Sequence, residues 1–208
     1  MKLDKDVLLE YTKKSFENAQ ELFDEGDLLL KEKRYARAFT LFQLSIEEVG
    51  ASMLILESIL SKKYEKRKGK SALLRMIRNH KVKTKYSQKV DLLLAYIIPD
   101  EKLKKVLLDN VIKQSGEIDK INKYKNKSLY VFLSESNVVK PSEAFNESLV
   151  DDFKFYAKIR LGAGKQFHDE LVKNIDGIIE GLQKIKPEDF IENPPEKIKQ
   201  LVTLIKNA

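Results

Sequence analysis

The sequence predicts an all-α protein: an antiparallel helical bundle folded as a single domain over residues 1–208, with a basic loop after its second helix. Three observations carry this expectation. Helix breakers are sparse, with five prolines and eight glycines among 208 residues, while Leu, Lys and Glu abound. Residues 34–60, RYARAFTLFQLSIEEVGASMLILESIL, are apolar almost all the way round a helix, as befits an element enclosed on most sides. The stretches before and after it repeat their apolar residues at helical spacing, and the chain is long enough to bury a real core.

The first helix spans residues 4–32. Asp4 is placed to cap it, and Val7, Leu8, Tyr11, Ala19, Leu22 and Phe23 trace its apolar face. A short turn at 31–34 leads into the central helix, so the two should fold back as a hairpin. After residue 60 comes a polar, basic run, SKKYEKRKGK, with Gly69 as a break; Ser71 then opens a short helix, ALLRMIRNH. Residues 81–89, KVKTKYSQK, read as a loop. Residues 88–97 form a short helix stopped by Pro99, and Asp100 caps the next one, which runs to about residue 124.

The segment KYKNKSLYVFLSESNVVKPSE interrupts the helical pattern. SLYVF has the composition of a strand but no evident partner, which favours an ordered loop. Pro141 suits a first helical turn, and Phe145, Leu149, Phe153, Tyr156 and Leu161 continue a helical face that Gly162 and Gly164 are placed to kink or divide. Asn193, Pro194 and Pro195 precede a small final helix, EKIKQLVTLIKNA.

Within the central helix, Thr40, Gln43 and Glu47 fall on one narrow polar stripe at about 100° per residue, with Gly50 one turn further on. A carboxylate there requires a partner, because burying it unpaired costs several kcal/mol. Gly50, lacking a side chain, allows another backbone to come close on the same side. From the residues alone, a structural hydrogen bond or ion pair to a neighbouring helix accounts for Glu47 better than a functional role does.

The net charge of +7 is concentrated. Residues 61–89 hold twelve Lys or Arg against one acid, Glu65, a net +11 that leaves −4 for the rest of the chain. Such a segment attracts phosphates and steers polyanions, although Lys-rich runs are also common as solvated loops. With no cysteine and only two histidines, His80 and His168, neither a disulfide framework nor a thiolate or multi-histidine metal site is expected. No Gly-rich phosphate loop, nucleophile elbow or other motif implies a cofactor. The first residues lack an apolar signal core, and no apolar run approaches the ~20 residues of a membrane span, so a cytoplasmic protein without membrane contact is expected.

One stretch inside the basic segment combines residues useful for chemistry: Arg75, Arg78, His80, Lys81 and Lys83. Histidine titrates near neutral pH and can take a proton from a ribose 2′-hydroxyl or give one to a leaving oxygen. Cations beside it stabilise charge building on a phosphate. That is the minimum for RNA cleavage without a metal, yet a lone histidine among lysines is more often simply solvated. His168, on a late helix, suits a structural role better still. A second cluster, Lys120, Lys123, Lys125 and Lys127, could supply a further phosphate contact, and Tyr130 just after it a hydroxyl donor or a base-stacking face.

RYARAFTLFQLSIEEVG, followed by the HKVK block and then by KSLYV and KPSE, resembles the AbiV family of bacterial abortive-infection proteins, of the HEPN superfamily, across residues 15–160. The resemblance implies a HEPN-like all-α bundle, usually a homodimer, that defends against phage by shutting down the infected cell. Many HEPN proteins are metal-independent ribonucleases with an Arg-x4–6-His motif, and Arg75 and His80 have that spacing. The superfamily pair generally lies near a polar residue of an earlier core helix, a role Glu47 fits. The chain departs from the family pattern in two places: Ala51 replaces a lysine usually found after Glu-Glu-x-Gly, and Lys127-Ser128 stand where arginine often precedes Leu-Tyr-Val. Lysine keeps the charge but loses the bidentate fork.

The expected function is therefore an effector that stops translation in infected cells as an RNA-cleaving toxin. His80 would be the acid–base group, Glu47 its neighbour on the core helix, and Arg75 and Arg78 would stabilise the phosphorane. Lys81, Lys83, Lys127 and Tyr130 would hold RNA. Two chains would pair with their basic segments facing one groove, and a phage-encoded protein would trigger the toxin. The alternative is a non-catalytic module that binds RNA, the ribosome or a phage protein and blocks translation by occupancy. A purely structural helical dimer ranks below both, because it leaves the concentrated charge unexplained.

Overall fold

The computed structural model describes residues 3–183. The expected final helix after Pro195 lies outside the described residues. α1 (Lys5–Lys31) begins at Asp4, whose carboxylate accepts from the Val7 amide at 3.0 Å. Lys33 takes a left-handed conformation at φ 57°, and the chain turns directly into α2 (Tyr35–Leu60). α2 is the axis of the molecule. α1, α4 (His80–Ile97), α6 (Ile118–Leu129) and α8 (Glu147–Lys173) all pack on it.

Its two halves belong to two apolar clusters. Val49, Ile55 and Ile59 pack with Leu8 and Phe16 of α1, Val90 of α4, Leu161 and Leu171 of α8, and Ile178 of α9 (Ile175–Gln183). Phe39, Phe42 and Ile46 pack with Phe145, Val150 and Ala157, and the Phe39 ring lies 4.3 Å from that of Phe153 between centroids. By length and composition α2 is apolar enough to cross a membrane, contrary to the sequence expectation that no run approaches that length. Most of that apolar stretch is buried by the surrounding helices, which accounts for its character.

The basic segment is where the structure departs most from expectation. Residues 61–70 form a 3-10 turn, Lys63–Glu65, and then the start of α3 (Arg67–Met76), so helix begins before Ser71. Gly69 is no break: it lies in the first turn of α3, where a Cβ would meet the Lys63 carbonyl oxygen at 1.8 Å. Residues 81–89 are not a loop either. They are the first half of α4, opened by Asn79, whose side chain accepts from the Val82 amide at 3.2 Å. The face that α4 buries includes Lys83, Thr84, Ser87, Gln88 and Asp91, so no apolar repeat announces it.

The expected helix to residue 124 divides at Glu117 into α5 (Glu101–Gly116) and α6, which continues to Leu129. SLYVF divides: Ser128 and Leu129 end α6, Tyr130 and Val131 follow outside any helix or strand, and Phe132 opens a short strand. β1 (Phe132–Ser134) pairs antiparallel with β2 (Asn137–Val139), Leu133 facing Val138, across a turn in which Glu135 has φ 53°. That turn lacks the Asn-Gly or Asp-Gly signal of short hairpins. Pro141 opens α7 (Pro141–Ala144) as expected, whereas α8 runs unbroken through Gly162 and Gly164.

Buried charges tie the helices together. Arg160 of α8, 2% exposed, grips Asp91 of α4 with contacts of 2.6–3.2 Å and also donates to Ser87 and to Gln114 of α5. Nearer the surface, Asp27 of α1 accepts from Lys154 of α8, and pairs with Lys31 at 2.9 Å. Hydrogen bonds from Lys154 first and Lys31 second hold the Asp27 carboxyl below the usual carboxylate range, against the effect of burial. A depressed carboxylate contributes stability that is fully present above its unfolded pKa of about 4 and is lost as the pH falls through the folded value. Asp27→Asn is therefore expected to lower the urea midpoint at pH 7 while narrowing the difference between pH 7 and pH 3. An unchanged difference would remove Asp27 from the acid sensitivity of the fold.

Candidate functional site

The polar stripe of α2 faces α4 and α6, and each of its residues is paired. Thr40 and Ser128 share a hydrogen bond of 2.6 Å between hydroxyls, and Gln43 donates to Thr84 at 2.9 Å. One turn on, Glu47 is 1% exposed, and both carboxylate oxygens are engaged. Lys125 of α6 donates from Nζ to Oε1 at 2.7 Å, and His80 Nδ1 lies 2.5 Å from Oε2. Because an ionised carboxylate only accepts, Nδ1 is the donor in this contact, and in a neutral imidazole so held Nε2 is the basic nitrogen. The Lys83 ammonium stands 3.7 Å from Oε2 and 3.2 Å from Glu48 Oε1.

This arrangement follows from the backbone. Gly50 is one turn beyond Glu47, and a Cβ on it would lie 1.8 Å from the carbonyl oxygen of Lys83. Its absence lets the first turn of α4 rest on α2, as the stripe implied. His80 is the first residue of α4, so this close approach also sets its ring over Glu47. The ring is held but not enclosed: its side chain is 54% exposed, and Nε2 has no hydrogen-bond partner among the described residues. A carboxylate that orients one imidazole nitrogen while the other meets solvent is suited to proton transfer.

The remaining sequence candidates separate into three groups. Arg75, on the last turn of α3, and Arg78, in the turn before α4, are exposed. Among the described residues neither makes a hydrogen bond or ion pair with His80. Lys81 pairs with Asp119 at 2.6 Å, and this hydrogen bond holds the Asp119 carboxyl below its usual range. Lys83 is buried in its ion pairs, an anchor of α4 on α2 rather than a side chain turned to solvent. On the far side of α6, the Lys127 ammonium lies over the Phe132 ring, 4.7 Å from its centroid, and Tyr130 is 66% exposed at the root of the hairpin.

Sequence reasoning missed the part played by Lys125. It stood in a basic cluster read as facing phosphate, yet it is the buried counter-ion of Glu47, its side chain 6% exposed. The signal was present in Glu47 itself, which required a partner of opposite charge; which of several lysines met it depended on the path of α6. His168 is buried, in keeping with a structural role. Its Nε2 is 2.9 Å from the Thr12 hydroxyl and its Nδ1 2.9 Å from Asp169. Among the described residues no three His, Cys, Asp or Glu side chains converge in a way that could hold a metal ion. Ala51, where a lysine was expected from the resemblance, is fully buried.

No curated protein and no solved structure matches the chain. A family model described as AbiV, of the HEPN class, matches residues 7–161, which takes in all but the first two residues of α1 and the elements carrying Glu47, His80 and Lys125. Since the match takes in well over half of the chain, the protein belongs to the AbiV family of abortive-infection proteins, within the HEPN superfamily.

Proposed function

We propose that this protein is an abortive-infection effector that shuts down translation in infected cells by cleaving RNA without a metal ion. The observation that carries the reading is the Glu47–His80 pair, with Nδ1 held by the carboxylate and Nε2 without a partner among the described residues on a ring that is more than half exposed. In the reaction, Nε2 takes the proton of a ribose 2′-hydroxyl as its oxygen forms a bond to the adjacent phosphorus. The bond from phosphorus to the 5′-oxygen breaks, and that oxygen takes a proton from water or from a second His80. The products are a 2′,3′-cyclic phosphate and a 5′-hydroxyl.

Glu47 touches the imidazole and not the RNA, so its role is positioning. Arg75 and Arg78, exposed on the approach to α4, supply charge to the phosphorane, and Lys127 and Tyr130 hold the strand beyond it. Lys81 and Lys83 are already paired with carboxylates, which makes their share in phosphate binding smaller than the count of lysines suggests. Two copies paired through their basic segments would bring two His80 rings to one groove, in the cytoplasm, under the control of a phage-encoded activator.

The decisive experiment compares translation and RNA integrity in cells expressing wild type or His80→Ala, with and without phage. General acid–base groups contribute about 10²- to 10⁴-fold, so cleavage is expected to fall by at least ~100-fold at equal protein level. New RNA ends in the wild type should carry the cyclic phosphate. Arrest with intact RNA in both strains would replace cleavage by occupancy of RNA, the ribosome or a phage protein.

A further inference from the structure

We propose that Lys125 is a positioning residue whose buried ammonium keeps the Glu47–His80 pair ready to accept a proton. The inference deepens the ribonuclease reading and rests on it for its kinetic consequence. Glu47 is shared between two partners of different exposure: Lys125 is buried with it, and His80 lies at the surface. The carboxylate is thus fixed by its inner oxygen, and only the outer one remains to orient the ring.

The local charges make this more than a hinge. Facing the imidazole and its carboxylate are Glu47 and Glu48 from α2, Lys83 from α4 and Lys125 from α6, joined at 2.7–3.7 Å. Beside them are the Lys81–Asp119 pair and the exposed Arg75 and Arg78. The two glutamates and two inner lysines balance, so Lys125 supplies half of the positive charge that offsets the carboxylates beside His80. A base must be neutral before it can act. Without Lys125 the cluster carries a net negative charge, the imidazolium is favoured, and the ring stays charged to higher pH. Removing a nearby positive charge raises the midpoint at which a histidine loses its proton.

The test follows the His80 ring by NMR titration in the full chain for wild type, Lys125→Met and Lys125→Arg. Lys125→Gln accompanies them, since it keeps a donor toward Oε1 without the charge should the methionine variant fail to fold. The midpoint is expected to rise by roughly one pH unit in the methionine and glutamine variants and to stay near wild type in the arginine variant. RNA cleavage by the neutral variants should show its low-pH limb displaced upward by the same amount. A purely structural role for Lys125 would lower stability and leave the midpoint where it was. An unchanged midpoint in a folded neutral variant therefore overturns the proposal. Absence of cleavage by the wild type would overturn the ribonuclease reading instead, and the titration would still decide the role of Lys125.

Discussion

Gly50→Ala is expected to destabilise the fold severely and to remove function with it, although alanine is the better helix former. In a helix interior the exchange gains about 1 kcal/mol from propensity. Here the new Cβ would lie 1.8 Å from the Lys83 carbonyl oxygen, 2.7 Å from its carbon and 3.0 Å from the Ser87 amide nitrogen. These are backbone atoms of a helix, so no side chain can swing away and α4 must move as a body. Overpacking typically costs about 1–3 kcal/mol even where neighbours can adjust, and a contact this short against backbone lies at or above the upper end. The clash therefore outweighs the propensity gain. The displaced turn begins at His80, so the distance from Nδ1 to Glu47 opens as well. Urea denaturation should show a loss of about 2 kcal/mol or more, and RNA cleavage by the folded fraction should fall further. A variant as stable as wild type would mean that α4 does not approach α2 here as closely as described.

The part of this site that was legible in the sequence was its inner half. Thr40, Gln43, Glu47 and Gly50 share a stripe on a helix that is otherwise apolar, so the period alone showed that something polar and something close must lie against them. The outer half was hidden because α4 meets that stripe with its own polar residues. Thr84, Ser87, Gln88 and Asp91 are buried, and a reading that equates burial with apolar residues makes them a loop. The hairpin escaped for a different reason: its strands have three residues each and a turn without the usual glycine. Charge misled in the opposite direction. Lys83 and Lys125 stand in the two Lys-rich segments, but composition cannot say which lysines of a run turn inward, and these two do. The hairpin of α1 and α2 and the cap at Asp4, set by local pattern, were read correctly.

Breaking the Glu47–Lys125 pair from the carboxylate side should cost more than any other single change at the site. Glu47→Leu leaves the Lys125 ammonium buried with no acceptor at 2.7 Å, and removing one member of a buried pair typically costs about 3–5 kcal/mol. The same substitution frees the His80 ring. Loss of fold and loss of function would then arrive together and explain nothing separately. The double variant Glu47→Leu, Lys125→Met separates them. With both charges gone, a buried ion pair has been exchanged for apolar volume, which is often neutral or even stabilising. Most of the stability lost in the single variant should return, with a coupling energy of about 2 kcal/mol or more in the double-mutant cycle. Cleavage should not return, because nothing then holds Nδ1 of His80. Stability recovered without activity would assign the energetic cost to the broken ion pair and show that the chemistry needs the carboxylate itself. A double variant no more stable than Glu47→Leu would show that the cost lies in packing on α2, and recovered cleavage would show that His80 needs no carboxylate.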